Sequence, residues 1–387
     1  MNRSGRGEAE STELQEHGQR PRALNEALRA LLRPELADLA AYVPASQPAD
    51  AAKLDANEAP PARSPVIRET IARAIERVPM ERYPDARATE LRSAIAVRTG
   101  AAPDDLLFGT GSDEVIALIV NALARPRAKL PQAVVLSPSP TFVMYRVTAR
   151  AHGMKSVEVP LDPSWDLDAS MMTRAIEALR PNVIFIASPN NPTGNRVSEA
   201  RLAEVIEAAD DALVVLDEAY VDYASGSLRA WRAKYPHLAV LRTLSKIGLA
   251  ALRVGWLEAD AELVREIDKG RQPFNVSATS QAAAAAVVRD AWSAVEEEVA
   301  RVVRERARVA EELARVPGLT VTPSDANFLW MRTTQPACEV VESLASRGVL
   351  VRGFHAAGGR LANQMRVTIG SESDNDRFLE AIRAVSR

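Results

Sequence analysis

The chain has 387 residues, 47% hydrophobic and 26% charged, with a formal net charge of −3. That length can bury a large core and a smaller one, and the balanced charge excludes a basic nucleic-acid surface or an acidic tail. A single cysteine, Cys338, excludes an internal disulfide, and the scattered histidines (His17, His152, His237, His355) exclude Cys/His metal spacing, so no metal is expected.

Residues 1–22 are polar, charged and glycine-bearing, which predicts a disordered tail without the basic-then-apolar pattern of a secretory signal. No apolar run reaches the length of a membrane span, and the expectation is a soluble, reduced, cytoplasmic protein. Leucines and alanines recur at helical spacing between Ala23 and Ala40 and predict a short helix there. Lys53 to Pro65 (KLDANEAPPARSP) is proline-rich and reads as an irregular crossing segment. Val66 to Val78 reads as an amphipathic helix closed by Pro79. An extended turn around Tyr83 then feeds a helix over Thr89–Arg98.

From Leu106 short apolar runs alternate with helical stretches. The expected strands are Leu106–Phe108, Ala133–Ser137, Ser156–Val159, Val183–Ala187, Leu213–Asp217, Ala239–Thr243 and Val254–Glu258. Helices are expected near Glu114–Ala124, Thr141–His152, Asp168–Leu179 and Ser198–Ala209. The alternation predicts an α/β domain with a mostly parallel sheet covered on both faces, whose ligands gather at the carboxyl ends of strands. After Lys269 a long helical stretch, Ala278 to Arg315, carries Glu296-Glu297-Glu298 on an expected solvated face. Shorter strands and helices beyond it predict a smaller α+β domain. The expected division is an N-terminal arm over residues 23–65, a large domain over 66–270 and a small one over 271–387.

Each polar motif falls at the end of an expected strand. Gly109-Thr110-Gly111-Ser112-Asp113-Glu114 opens a helix and suits either anion binding by free N–H groups or simple helix capping. Phe142 follows the next strand, placed to stack on a ring or to pack in the core. Ser188-Pro189-Asn190-Asn191-Pro192-Thr193-Gly194 is a turn by composition, yet it ends an apolar strand where a ligand would sit. Asp217 closes a buried run and needs a cap, an ion-pair partner or a cationic ligand. Arg242-Thr243-Leu244-Ser245-Lys246, with Arg253 beyond it, is either a solvated loop end or a catalytic lysine beside an anion site.

Together these strings resemble the fold-type I, pyridoxal-phosphate-dependent aminotransferases, and among them the histidinol-phosphate aminotransferase family. The matching strings are RYPDARATELR (82–92), GTGSDE (109–114), PTFVMY (140–145), SPNNPTG (188–194), VVLDEAY (214–220), RTLSK (242–246), LRVGW (252–256), ANFLW (326–330) and RVTIG (366–370). They span the chain from Lys53 to its C-terminus. The resemblance implies a large domain with a mixed, mostly parallel seven-stranded sheet, and pyridoxal 5'-phosphate as cofactor.

It further implies that Lys246 is the Schiff-base lysine and proton shuttle, and that Asp217 pairs with the ring nitrogen. Tyr220 and Asn191 would bond the phenolic oxygen, and Phe142 would stack on the ring. Gly111, Ser112, Asp113, Ser245 and Arg253 would hold the cofactor phosphate, with Tyr83 reaching it from the other subunit of a homodimer. Arg366 would grip a carboxylate and Arg352 the substrate's distal phosphate.

Two departures from the family pattern bear on the site. The connection from Lys246 to Arg253 is one residue shorter than the commoner form, and DANEAPPAR replaces the usual asparagine-rich NENP. The reaction implied is amino transfer from L-histidinol phosphate to 2-oxoglutarate. The alternatives are an aromatic amino-acid aminotransferase, a threonine-phosphate decarboxylase and a non-catalytic regulator domain.

Overall fold

The computed structural model describes residues 25–36, 39, 41, 48, 50–127 and 130–385. The tail expected over residues 1–22 lies outside them. The chain divides into two units, residues 1–39 and 40–387. In the first, the helix expected between Ala23 and Ala40 shrinks to one turn, Glu26–Arg29, followed by a 3-10 turn at Pro34–Leu36. Pro34 has no N–H to donate and its ring would clash with the preceding turn, so an α-helix does not run through it.

In the second unit the strands begin with β1 (Ala52–Lys53). Seven follow: β2 (Leu106–Thr110), β3 (Val134–Ser139), β4 (Lys155–Pro160), β5 (Val183–Ala187), β6 (Leu213–Asp217), β7 (Leu238–Thr243) and β8 (Val254–Glu258). The last group is β9 (Leu319–Thr322), β10 (Phe328–Thr333), β11 (Val349–Leu350), β12 (Arg352–Gly353) and β13 (Gln364–Thr368).

The central sheet has the order β2-β8-β7-β6-β5-β3-β4. Every strand in it points the same way except β8, which is antiparallel to both neighbours. The expected β5, β6 and β8 coincide residue for residue with those observed. β5 and β6 read clearly because both faces are buried. Val183, Phe185 and Val215 enter one core with Ile116, Ile119 and Val264. Ile184, Ile186, Val214 and Leu216 enter another with Met172, Ile176, Leu202 and Ile206. Successive side chains in a strand alternate between faces, so a run apolar at every position needs cover on both. Helices Gly111–Ala122, Met144–Ala151 and Ala261–Asp268 supply it on one side, and Ala169–Leu179 with Glu199–Ala208 on the other.

The long stretch from Ala278 is two helices, Ala278–Asp290 and Trp292–Ala314, parted where Ala291 leaves helical geometry at φ −130°. The solvated face expected at Glu296–Glu298 needs correction at Glu298. Its carboxylate accepts the N–H groups of Arg63 at 2.7 Å and Ser64 at 3.1 Å and pairs with Arg301 at 2.6 Å. It therefore anchors the entry to helix Pro65–Glu76.

A second, antiparallel sheet has the order β12-β13-β10-β9. Helices Ala337–Ser346 and Glu372–Val385 cover it through Val340, Leu344, Phe378 and Ile382. The segment read as an irregular crossing begins with a short parallel pairing of β1 with β11. Leu54 then accepts the Thr368 N–H at 2.8 Å, so this segment runs along the end of β13.

Candidate active site

Because β2, β3, β5, β6 and β7 are parallel, their carboxyl ends share one edge, and the reversed β8 starts there. A cavity at that edge is lined by Ser112, Asp113, Phe142, Tyr145, Ala187, Pro189, Asn191, Asp217, Ala219, Tyr220, Ser245, Lys246 and Arg253. Nine of the residues singled out in the sequence are thus in one place.

Lys246 sits in a 3-10 turn, Ser245–Ile247, directly after β7. Its Nζ lies 5.7 Å from the centre of the Tyr220 ring. Among the described residues Nζ has no hydrogen bond or ion pair. The backbone is held instead, since Tyr223 Oη donates to the Lys246 carbonyl at 2.7 Å. The amine is tethered below and free above.

Asp217 ends β6 and is only 5% exposed. Its Oδ2 accepts from Tyr145 Oη at 2.5 Å and its Oδ1 from the Ala219 N–H at 2.9 Å. Burial pushes its carboxyl above the usual range. The Tyr145 and Ala219 bonds and the charge of Lys246 oppose that shift, while Asp113 adds to it.

Tyr220 Oη accepts from Asn57 Nδ2 at 2.8 Å, which leaves its own proton free to be donated. Asn57 is 1% exposed and its φ is +56°. It stands within DANEAPPAR, where nothing in the string marks it. Its partner lies 163 residues away, so no local spacing marks it.

The two asparagines of SPNNPTG divide the work. Asn190 joins loops, accepting from Thr141 Oγ1 at 2.8 Å and donating to the Pro140 carbonyl at 3.0 Å. Asn191 faces the cavity, and its Oδ1 accepts from Arg366 Nη1 at 2.6 Å, which turns its amide N–H groups the other way. Arg366, on β13, also donates to the Asp55 carbonyl at 2.5 Å and lies over the Phe328 ring. Its buried Nε has no partner, and desolvation pushes its pKa down to about 10. Arg352 is exposed on β12, directly opposite Arg366 in the ladder. It lies outside the cavity lining.

The anion end is built by three segments. Arg253 donates from Nη1 to Ser245 Oγ at 3.4 Å and pairs through Nη2 with Asp113 at 3.2 Å. Its short connection to Lys246 turns through Gly248 at φ +93° and leaves Arg253 itself left-handed at φ +51°. The arginine reaches the site despite the shortening. Gly111 corrects one expectation: its N–H is already donated to the Arg253 carbonyl at 2.8 Å and is not available to a phosphate. It serves by lacking a Cβ, which would lie 2.4 Å from Arg253 Nη2. The helix opening at Ser112 and Asp113 supplies N–H groups at a positive dipole end.

Gly255 on β8 faces the same constraint, because a Cβ there would lie 2.4 Å from the Ser112 nitrogen. Gly255→Ala is expected to lower stability by about 1–3 kcal/mol. It should also weaken anion binding by displacing the helix start. Thermal unfolding and inorganic-phosphate titration of the same sample check both effects.

Phe142 lines the cavity and meets Tyr145 edge-on with ring centres 5.6 Å apart. Tyr83 is not brought to this cavity: it is 82% exposed and stacks on Phe274 at 4.8 Å. Tyr145 closes the string PTFVMY, which gives it no role by itself. Its fully buried hydroxyl is nevertheless the side-chain donor to Asp217.

These groups fit pyridoxal 5'-phosphate. Arg253, Ser245 and the Ser112–Asp113 N–H groups match a dianionic phosphate. Asp217 offers a buried carboxylate to a ring cation, Tyr220 and Asn191 offer donors, and Lys246 offers an unpaired amine. A cavity of this design at the carboxyl edge of a mixed α/β sheet defines an aminotransferase of the class I and II type. The chain belongs to that family: the family model for aminotransferase class I and II matches residues 49–382.

Within it, the chain is similar to histidinol-phosphate aminotransferases. It is 38% identical to histidinol-phosphate aminotransferase 2 of Nitrosococcus oceani, covering 91% of this chain and 96% of that one. It is 37% identical to the histidinol-phosphate aminotransferase of Aquifex aeolicus, covering 89% and 95%. The fold matches the crystal structure of histidinol-phosphate aminotransferase from Sinorhizobium meliloti in complex with pyridoxal-5'-phosphate. That match has a TM-score of 0.81 and 24% identity, over 92% of this chain and 98% of that one.

Proposed function

We propose that this chain is a pyridoxal-phosphate-dependent aminotransferase that moves the amino group of L-histidinol phosphate to 2-oxoglutarate, giving imidazole-acetol phosphate and L-glutamate. The observation that carries this reading is the pair Arg352 and Arg366, opposed across β12 and β13, with Arg366 bonded to a residue of the lysine cavity. Two guanidiniums held this close repel one another, and the charge of Arg352 adds to the depression of the Arg366 pKa. A substrate with an anionic group relieves that repulsion, and Arg matches carboxylate and phosphate in bidentate geometry.

The cofactor supplies an electron sink for the carbon that loses its proton. Lys246 Nζ carries that proton, its reach set by a backbone fixed through Tyr223. Asp217 keeps negative charge at the cavity floor, and Tyr220 and Asn191 direct N–H and O–H donors at one oxygen. Arg253, Ser245 and the helix start hold the phosphate end, so the ring cannot drift while Lys246 works. Arg366 orients the carboxylate of the 2-oxo acid, and Arg352 takes the distal phosphate of the amine.

The exposed Tyr83, turned away from its own cavity, supports a homodimer in which it serves the partner's phosphate site. Among the described residues no helix is long and apolar enough to cross a membrane, and the proposed setting is the cytoplasm. The proposed boundaries remain an arm over residues 23–65, a large domain over 66–270 and a small one over 271–387.

Amino-transfer rates with L-histidinol phosphate and with phenylalanine test the substrate. Turnover of phenylalanine alone would replace this reading with an aromatic aminotransferase, and release of carbon dioxide from phosphothreonine would replace it with a decarboxylase. Arg352→Gln is expected to raise KM for L-histidinol phosphate about 10- to 100-fold, the range for losing a charge-assisted bond. KM for 2-oxoglutarate should change far less. Steady-state kinetics with each substrate varied in turn measures the split.

A further inference from the structure

We infer that Tyr145 is a positioning residue for the reaction, whose hydroxyl fixes Asp217 as an aimed carboxylate at the cavity floor. The inference rests on the cofactor reading above and goes beyond it to a group that touches neither substrate nor reacting atoms.

The geometry leaves Tyr145 a single use for its hydroxyl. The side chain is fully buried, its ring lies flat on Phe185 of β5 at 4.6 Å and 3°, and Phe142 meets it edge-on. A ring clamped on two sides cannot swing, so Oη has one position, 2.5 Å from Asp217 Oδ2. Burial, followed by the Asp217 charge, holds the phenol well above its ordinary pKa, so it stays a neutral O–H donor throughout the working range.

Asp217 has the opposite problem. It must be ionised to pair with a ring cation, yet burial favours its neutral form. Four groups face it from four elements. Tyr145 on helix Met144–Ala151 and the Ala219 N–H after β6 donate to it. Lys246 after β7 attracts its charge and Asp113 at the start of helix Gly111–Ala122 repels it. Of these, Lys246 has its own chemistry to perform and the Ala219 N–H is backbone. Tyr145 is therefore the side chain that holds the carboxylate without a second duty. As a carboxylate, Asp217 accepts the phenolic proton at Oδ2 and the Ala219 N–H at Oδ1, so the ionised form satisfies both donors. With Oδ1 turned to Ala219 and Oδ2 to Tyr145, the carboxylate plane is set before any cofactor arrives.

The test compares wild type and Tyr145→Phe, which keeps the ring stack and deletes only the hydroxyl. Equilibrium binding of pyridoxal 5'-phosphate to the apo chain is followed across pH, together with thermal unfolding of each apo protein. Asp217 must be charged to bind, so affinity exists above its pKa and is lost as pH falls through it. Removing a donor that lowers that pKa moves the acid limb of affinity to higher pH. The expected result is about ten-fold weaker binding near neutrality, growing as pH falls, with little change in unfolding temperature. In the Asp217→Asn background the same change should leave the pH dependence of binding unaltered. Unchanged binding in Tyr145→Phe, or a loss equal at every pH, overturns the inference. Failure of the wild type to bind the cofactor at all would instead overturn the reading on which it rests.

Discussion

Lys246→Ala is expected to lower the rate of amino transfer by more than about 10³-fold, the upper part of the range for a positioned proton carrier. Among the described residues the amine has no hydrogen bond or ion pair, and its backbone is pinned by Tyr223, so water cannot stand in for it at the same point. Alanine keeps the 3-10 turn and removes only the reach. Two readouts separate chemistry from folding. Wild type should carry cofactor through gel filtration while the variant loses it, and the unfolding temperatures of the two apo proteins should agree. A variant that retains more than about a tenth of the wild-type rate would remove Lys246 from the mechanism.

The second large effect concerns Asp217→Asn. An amide cannot neutralise a ring cation, and breaking a buried charge pair costs about 3–5 kcal/mol, or roughly 10² to 10⁴-fold in rate. Stability should move the other way. Burial raises the folded-state pKa of Asp217. A carboxyl raised in this way binds its proton more tightly in the folded chain, so it costs stability above that pKa, and the cost vanishes as pH falls through it. The apo variant should therefore unfold at a temperature equal to or above that of wild type near neutrality, and the difference should shrink in acid. Function here is bought with stability. Urea unfolding at two pH values, beside single-turnover rates, measures both signs.

How much of the fold is legible in the sequence follows the physical range of the deciding interactions. β5 and β6 are buried on both faces, so each is a continuous apolar run closed by Pro, Asp or Asn, and their limits were legible to the residue. Where the deciding interaction is local but rare, composition alone does not mark the boundary. Pro34 barred the predicted N-terminal helix from running on to Ala40, and Ala291 broke a helix that composition made continuous. Glu298 looked like one more solvated charge in a run of three, because its partners Arg63 and Ser64 lie more than 230 residues away. The same distance problem hid Asn57 and Tyr145, whose partners are 163 and 72 residues off. Residues that touch the cofactor stand in recognisable strings. Those that hold such residues in place leave no mark on the strand that carries them, and only the folded chain brings the two together.

The reversed strand β8 has a consequence for how this site tolerates change. In a sheet of parallel strands, successive arrivals at the ligand edge are separated by a whole helical crossover. Here the chain leaves β7, passes Lys246 and sets out along β8 just after Arg253, without departing from the edge. The reactive amine and the phosphate clamp are therefore two jaws of one short caliper, its span fixed by the six residues 247–252 and locked where Gly111 donates to the Arg253 carbonyl. Because the segment turns at Gly248 with φ +93°, a conformation side chains rarely adopt, it should accept substitutions at its other positions more readily than at Gly248.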